Sequence, residues 1–238
     1  MLVLFLVILS FIIPFVYYRR KEIDCGYFWV LCFFILLHQI SSFIAPMTWD
    51  MFAFNTRASN GVGLSSFSIN NAYNISIVYG VFYKLQNSVL TGNSLSIIGY
   101  SLSMIYLNKL MALLMIDRHK MLWVVILTSC VPYSIYAQSS TLRESWMLCF
   151  FIMFIFNLVK HYELRKYRFL IFSLISLFFL MCLHFKSALF YGSAIYMIYL
   201  IFALSRYFKK NIEFFIIYCV LFIISILVII VFLLPFFS

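Results

Sequence analysis

The sequence predicts an all-α fold, a polytopic transmembrane helix bundle of about eight spans with an extracytoplasmic loop and a re-entrant or interfacial helix. Of its 238 residues, 66% are hydrophobic and only 10% are charged. A soluble domain needs roughly a quarter charged residues to cover its surface, so most of this surface suits lipid. The apolar residues also occur in long runs, and a helix needs about 20 of them to cross a bilayer.

Eight apolar runs are the predicted spans, and they make one integral membrane domain of residues 1–238. The first run has no basic segment before it and no small-residue cleavage site after it, so we expect a membrane anchor and not a signal peptide. The predicted spans are residues 2–18, 26–45, 93–116, 121–138, 145–160, 169–184, 187–205 and 212–235.

Basic clusters between the apolar runs predict the orientation, because Lys and Arg collect on the cytoplasmic side of membrane proteins. With every cluster in the cytoplasm, both termini lie outside. The net charge of +10 therefore reflects topology and does not indicate nucleic-acid binding. The clusters are Arg19/Arg20/Lys21, Arg118/Lys120, Lys160/Arg165/Lys166/Arg168 and Arg206/Lys209/Lys210, with Lys109 near the end of its span.

No cofactor or metal is expected. None of the six cysteines is paired at the C-x-x-C spacing of zinc and redox sites. The chain also has no P-loop and no dinucleotide-binding glycine pattern.

The predicted outer loop, residues 46–92, is the longest interruption of the apolar pattern. Its second part, residues 71–92, is moderately apolar but carries Asn, Ser, Gln and Lys84. We interpret this part as a helix that lies at the outer interface or re-enters the membrane. Long loops on a compact scaffold commonly carry function.

Six ionisable side chains of the predicted outer face are candidates for a functional site, and they fall in three separate segments. A charge costs about 2.5–3.5 kcal/mol at the bilayer centre unless it pairs or faces a polar cavity. Each could alternatively lie just outside the hydrocarbon and only mark the end of a span. Their convergence on one face favours a site. The catalytic candidates are Asp50, Glu144 and His184, and the candidates for binding pyrophosphate or sugar are Arg57, Arg143 and Lys186.

The chemistry of these side chains suggests their roles. Guanidinium and ammonium groups are the usual partners of phosphate oxygens. A carboxylate, Asp50 or Glu144, can act as general base on a hydroxyl, and His184 can act as acid or base near neutral pH. His38, inside the second span, is interpreted as a hydrogen-bond partner in helix packing. Pro132 and the hydroxyl residues after it predict a fourth span that kinks or lines a hydrated cavity, or alternatively mark the end of that span.

Three short motifs carry a family resemblance. WDMFAFNTRA contains Asp50, PYSIYAQSSTLRESW contains Arg143 and Glu144, and LHFKSAL contains His184. Together they resemble bacterial polysaccharide repeat-unit polymerases of the O-antigen and exopolysaccharide type, and more distantly GT-C-fold glycosyltransferases. The resemblance covers residues 45–205.

The resemblance implies a multi-pass protein of the bacterial inner membrane that acts in lipopolysaccharide or capsule biosynthesis. It would transfer a glycan from undecaprenyl pyrophosphate to a lipid-linked acceptor. Its implied partners are a lipid-linked oligosaccharide, membrane lipids and polysaccharide-assembly proteins such as a chain-length regulator. One alternative is a GT-C-type enzyme that adds a single sugar. Another is a non-enzymatic transport or assembly subunit, although the chain shows no internal repeat typical of transporters.

Overall fold

The computed structural model describes residues 1–44, 47–61, 67 and 74–207, without the side chains of Tyr133, Lys186, Ser187 and residues 202–207. Within these ranges the regular secondary structure is helical, which confirms the predicted all-α class. The chain divides into a compact unit of residues 1–189 and a second unit of residues 190–238. The helices are α1 (Leu2–Arg19), α2 (Cys25–Ile44), α3 (Trp49–Ser59), α4 (Ile75–Tyr83), α5 (Val89–Leu113), α6 (Arg118–Cys130), α7 (Pro132–Ser139), α8 (Glu144–Leu164), α9 (Tyr167–Leu183) and α10 (Phe185–Tyr207).

Several of these helices suit a membrane. In the described part of the chain, α1, α2 and α8 are long and apolar enough to cross a bilayer. Helix α9 and residues 188–201 of α10 are shorter apolar helices. The predicted span 212–235 lies outside the described residues, as do parts of the loop 46–92. The number of eight crossings stays a prediction.

Two predicted spans differ from the helices found there. The span predicted at 93–116 is α5, which already begins at Val89 because the Ser88 hydroxyl caps it by accepting from the Leu90 amide at 3.3 Å. The span predicted at 121–138 is two helices, α6 and α7, separated at Val131. Pro132 disfavours helical backbone at Val131, the residue before it. The proline therefore interrupts the predicted span, which becomes two helices.

Helix α5 is the centre of the first unit. It packs against α8, α1, α2, α7, α4 and α6, and most of its residues from Thr91 to Met111 are buried. Small residues allow this close approach. A Cβ atom added to Gly99 would lie only 3.1 Å from the Trp146 ring of α8.

One end of the bundle collects charges, and we call it the Lys109 end. Lys109 of α5 forms a 2.6 Å ion pair with Glu22 of the α1–α2 loop. Charges on Lys109 and Arg168 act electrostatically on Lys160 of α8. A 390 Å³ pocket beside Glu22 is lined in part by Lys21 and Arg118. Three predicted cytoplasmic clusters therefore meet here, while the side chains of Arg206, Lys209 and Lys210 lie outside the described part.

The opposite end, which we call the Glu144 end, holds the start of α5, the α7–α8 turn and helices α3 and α4. Asn93 and Lys109 are 16 residues apart on α5, about 24 Å along its axis. The amide of Val3 donates to Gln86 Oε1 at 3.1 Å, so the N-terminus lies at the Glu144 end. Helix α4 has nine residues, about 13 Å, and is too short to cross a bilayer by itself.

We predict that Gly92→Ala destabilises the protein. The added Cβ would lie 2.6 Å from both the Thr141 Oγ1 and the Tyr83 hydroxyl, so the neighbouring segments must shift. Overpacking of this kind costs about 1–3 kcal/mol. The loss is measured as a lower unfolding temperature in detergent.

Gly26→Ala is the matched control, because its Cβ would meet its nearest neighbour, Asp24 Oδ1, at an ordinary 3.4 Å. It should leave the unfolding temperature unchanged or raise it slightly, since Ala favours helix by about 1 kcal/mol. Equal losses in both variants would contradict tight contact at Gly92.

Candidate functional site

The α7–α8 turn, residues 140–143, is held at the Glu144 end by hydrogen bonds to two other helices. The Thr141 hydroxyl donates to Asn93 Oδ1 of α5 at 2.6 Å. The Leu142 carbonyl accepts from the Tyr79 hydroxyl of α4 at 3.0 Å and from the Ser96 hydroxyl of α5 at 3.3 Å. A turn with no regular backbone pairing is fixed in this way by side chains from outside it.

This turn places Glu144 at the first position of α8. A carboxylate is favoured there by the partial positive charge of the helix N-terminus. Arg143 attracts its charge and Asp50, in the first turn of α3, repels it, so both predicted residues lie within electrostatic range. Glu144 Oε2 is buried and receives no hydrogen bond from the described part of the chain.

Gln138, near the end of α7, presents a second acceptor of this kind. Its side chain is 8% exposed, and Oε1 has no hydrogen-bond donor among the described residues. The backbone of the same residue is bonded, since the Ser145 hydroxyl donates to its carbonyl at 3.3 Å. Buried acceptors without donors are rare in proteins, and each calls for an explanation such as a bound ligand or water.

The end of α9 is joined to this site through its last carbonyls, which lack partners within the helix. Arg143 Nη1 donates to the Leu183 carbonyl at 3.4 Å, and Asn74 Nδ2 donates to the Cys182 carbonyl at 2.7 Å. His184 follows directly as the half-buried C-cap residue. The turn, Asn74 directly before α4 and the α9–α10 junction therefore meet.

The predicted site residues divide into three groups. Arg143 and Glu144 are adjacent, the exposed Asp50 lies within electrostatic range of Glu144, and the backbone of His184 lies next to the carbonyl that Arg143 binds. Arg57 is exposed in the last turn of α3, seven residues and about 10 Å along the helix from Asp50. The side chain of Lys186 lies outside the described part, so its predicted role stays a prediction.

Tyr79 and Tyr83 are buried residues of this region that the sequence reasoning missed. They are four residues apart, on one face of α4, and this spacing is the signal that could have found them. Burial raises the pKa of Tyr83 to about 12, and it also raises the pKa of Tyr79. Both phenols are therefore neutral at physiological pH and act as donors, Tyr83 toward Asn55 Oδ1.

His38 lies apart from this site, in the middle of the α2–α7 contact. Its Nδ1 is 2.9 Å from the Ser139 hydroxyl and 3.2 Å from the Ile135 carbonyl, and the ring is fully buried. These contacts agree with the predicted role in helix packing. Within the described residues, no three His, Cys, Asp or Glu side chains are grouped as a metal site requires.

The chain matches no protein-family model, no curated protein and no solved structure. The Glu144 end combines the Arg143 guanidinium with two buried acceptors without donors among the described residues, Glu144 Oε2 and Gln138 Oε1, at the meeting point of several helices.

We predict that Thr141→Val destabilises the protein by about 1–3 kcal/mol, because it leaves Asn93 Oδ1 buried without its donor. The measurement is thermal unfolding in detergent. Thr128→Val is the matched control, since the exposed Thr128 donates only to carbonyls of its own helix, Val124 and Val125. If the two variants unfold at the same temperature, the turn does not depend on this bond.

Proposed function

We propose that this chain is a repeat-unit polymerase of bacterial surface polysaccharide, of the O-antigen or capsule and exopolysaccharide type. It transfers a glycan linked to lipid pyrophosphate onto a lipid-linked acceptor at the outer face of the inner membrane. In this proposal the chain crosses the membrane about eight times, with the Glu144 end and both termini outside. The support comes from the motif resemblance, the apolar helices and the residues gathered at the Glu144 end.

The observation that carries the proposal is the pair of buried acceptors, Glu144 Oε2 and Gln138 Oε1, which receive no donor from the described residues. A sugar is rich in hydroxyl groups, which donate hydrogen bonds. A glycan hydroxyl at each oxygen would satisfy both acceptors.

Glu144 is the proposed general base. It accepts the proton of the acceptor hydroxyl as that oxygen bonds to the anomeric carbon of the donor glycan. The bond between this carbon and the pyrophosphate oxygen breaks, and the pyrophosphate leaves as an anion. Asp50 is the second candidate for the base, since it lies within electrostatic range of Glu144.

Arg143 is the proposed partner of the departing pyrophosphate. A guanidinium has five N–H donors, so it can bond a backbone carbonyl and phosphate oxygens at the same time. Its bond to the Leu183 carbonyl fixes it beside the α9–α10 junction. Lys186 and Arg57 are proposed as further cations for the lipid-linked substrate, and His184 as an acid or base at the same junction.

We predict that Glu144→Gln and Arg143→Gln abolish long-chain polysaccharide at normal protein levels. Loss of a general base lowers the rate about 10²–10⁴-fold, and loss of the cation destabilises the leaving group. The readout is the length ladder of the polysaccharide on a gel, in cells whose ladder depends on this chain. Glu163→Gln is the control, because Glu163 is exposed in the last turn of α8 at the opposite end.

The same gel separates the competing functions. A full ladder in the Glu144→Gln strain would count decisively against the proposed base. A product that grows by a single sugar in the wild type would instead indicate a GT-C-type transferase. Transport of a substrate into vesicles without any new glycosidic bond would indicate a transport subunit.

We also predict the sides of the membrane. In a chain without its native cysteines, Arg57→Cys should react with a membrane-impermeant maleimide in intact cells. Lys120→Cys should react only after the membrane is permeabilised, because its cluster belongs to the cytoplasmic side. Labelling of both positions from the same side would refute the topology on which the proposed reaction depends.

A further inference from the structure

A groove of 640 Å³ runs between α1 and α2 on the surface of the first unit. Its lining is apolar and aromatic, and several of its side chains are strongly exposed, Trp29 at 65%. In a membrane protein such a surface faces hydrocarbon. The groove is lined by Ile8, Phe11, Ile12, Phe15, Phe28, Trp29, Cys32, Phe33 and Leu36.

The groove leads to the basic cluster at the Lys109 end. On α1, Ile8, Ile12 and Phe15 line it, and Arg19 follows at the next position on the same helical face. Arg19 is exposed in the last turn of α1, where the C-terminal partial charge favours a cation. Arg20 and Lys21 follow at once and are also exposed.

The length of this surface fits one leaflet. Ile8 and Arg19 are 11 residues apart on α1, about 16 Å along its axis. This distance is about half of the ~30 Å hydrocarbon core, which is the depth that one acyl chain occupies. A cation therefore lies where the headgroup of a lipid with its chain in the groove would lie.

The acidic residues near Arg19 are engaged elsewhere, so they do not neutralise its positive charge. Glu22, the acidic residue that follows the cluster, is paired with Lys109 at 2.6 Å. The carboxylate of Asp24 accepts from the Tyr27 amide at 2.7 Å and caps the start of α2. The three cations Arg19, Arg20 and Lys21 thus outnumber two acidic groups that already have partners.

We propose that the α1–α2 groove binds one acyl chain of an anionic phospholipid, whose phosphate is held by Arg19 with Arg20 and Lys21. Phosphate oxygens accept charge-assisted hydrogen bonds from guanidinium groups. A cationic segment at the end of a membrane helix attracts anionic lipid. The groove adds selectivity for a lipid over a free anion, because an apolar chain fills it. This site lies at the end of the bundle opposite Glu144 and does not depend on the proposed polymerase activity.

The test uses Trp29 as a reporter inside the groove. The remaining tryptophans, Trp49, Trp123 and Trp146, are replaced with Phe, and the chain is reconstituted in bilayers with brominated phosphatidylcholine or brominated phosphatidylglycerol. A bromine atom quenches the fluorescence of a tryptophan only when it contacts that side chain. We expect phosphatidylglycerol to occupy the groove about fivefold more tightly, the effect of one cation near a membrane surface.

Arg19→Gln should remove this preference, while the matched Arg165→Gln, at the α8–α9 turn of the same end, should keep it. Equal loss in both variants would overturn the proposal in favour of a diffuse electrostatic attraction. A Trp29 that neither lipid quenches would also overturn it, since protein would then fill the groove. If the tryptophan substitutions prevent folding, native mass spectrometry of the otherwise unaltered chain replaces the fluorescence test. Phosphatidylglycerol that the unaltered chain retains and the Arg19→Gln variant loses supports the site. Equal retention of this lipid by both proteins refutes it.

Discussion

Helix α5 imposes one constraint on the whole bundle: many of its polar side chains are buried, so they must find hydrogen-bond partners inside the protein. In lipid an unpaired polar group costs several kcal/mol, and water is not there to replace the missing partner. The partners come from all sides. The Ser101 hydroxyl donates to the Ser10 carbonyl of α1 at 3.3 Å, Tyr100 and Ser129 of α6 share a 2.6 Å bond, and Glu22 binds Lys109 at 2.6 Å.

The same constraint determines where the candidate site residue Glu144 lies. The N-terminal part of α5 supplies Asn93 and Ser96, which hold the α7–α8 turn by its Thr141 hydroxyl and Leu142 carbonyl. That turn in turn fixes the direction in which α8 starts, and with it the position of Glu144. A short series of hydrogen bonds therefore holds Glu144 in position. A scaffold orients a reacting group in this way.

Composition and apolar runs were enough to predict the helical class and the positions of most helices, because hydrophobic length is a strong signal. They placed the start of α5 four residues late, since Thr91 and Gly92 have the composition of a loop and are buried only by tertiary contacts. Asp50, Arg143 and Glu144 were predictable because charges stand out in an apolar sequence. Tyr79 was missed because a neutral polar residue in such a sequence carries no comparable signal.

The ion pair between Lys109 and Glu22 has a consequence for how the protein is made. Glu22 leaves the ribosome well before Lys109, and α5 is not among the described helices that are apolar enough to enter lipid unaided. A lysine without a counter-ion in the hydrocarbon core opposes membrane insertion of its helix. The hairpin of α1 and α2 can offer that lysine a counter-ion as it arrives. Biogenesis should therefore be ordered, with the first hairpin serving as an intramolecular chaperone for the polar helix that follows it.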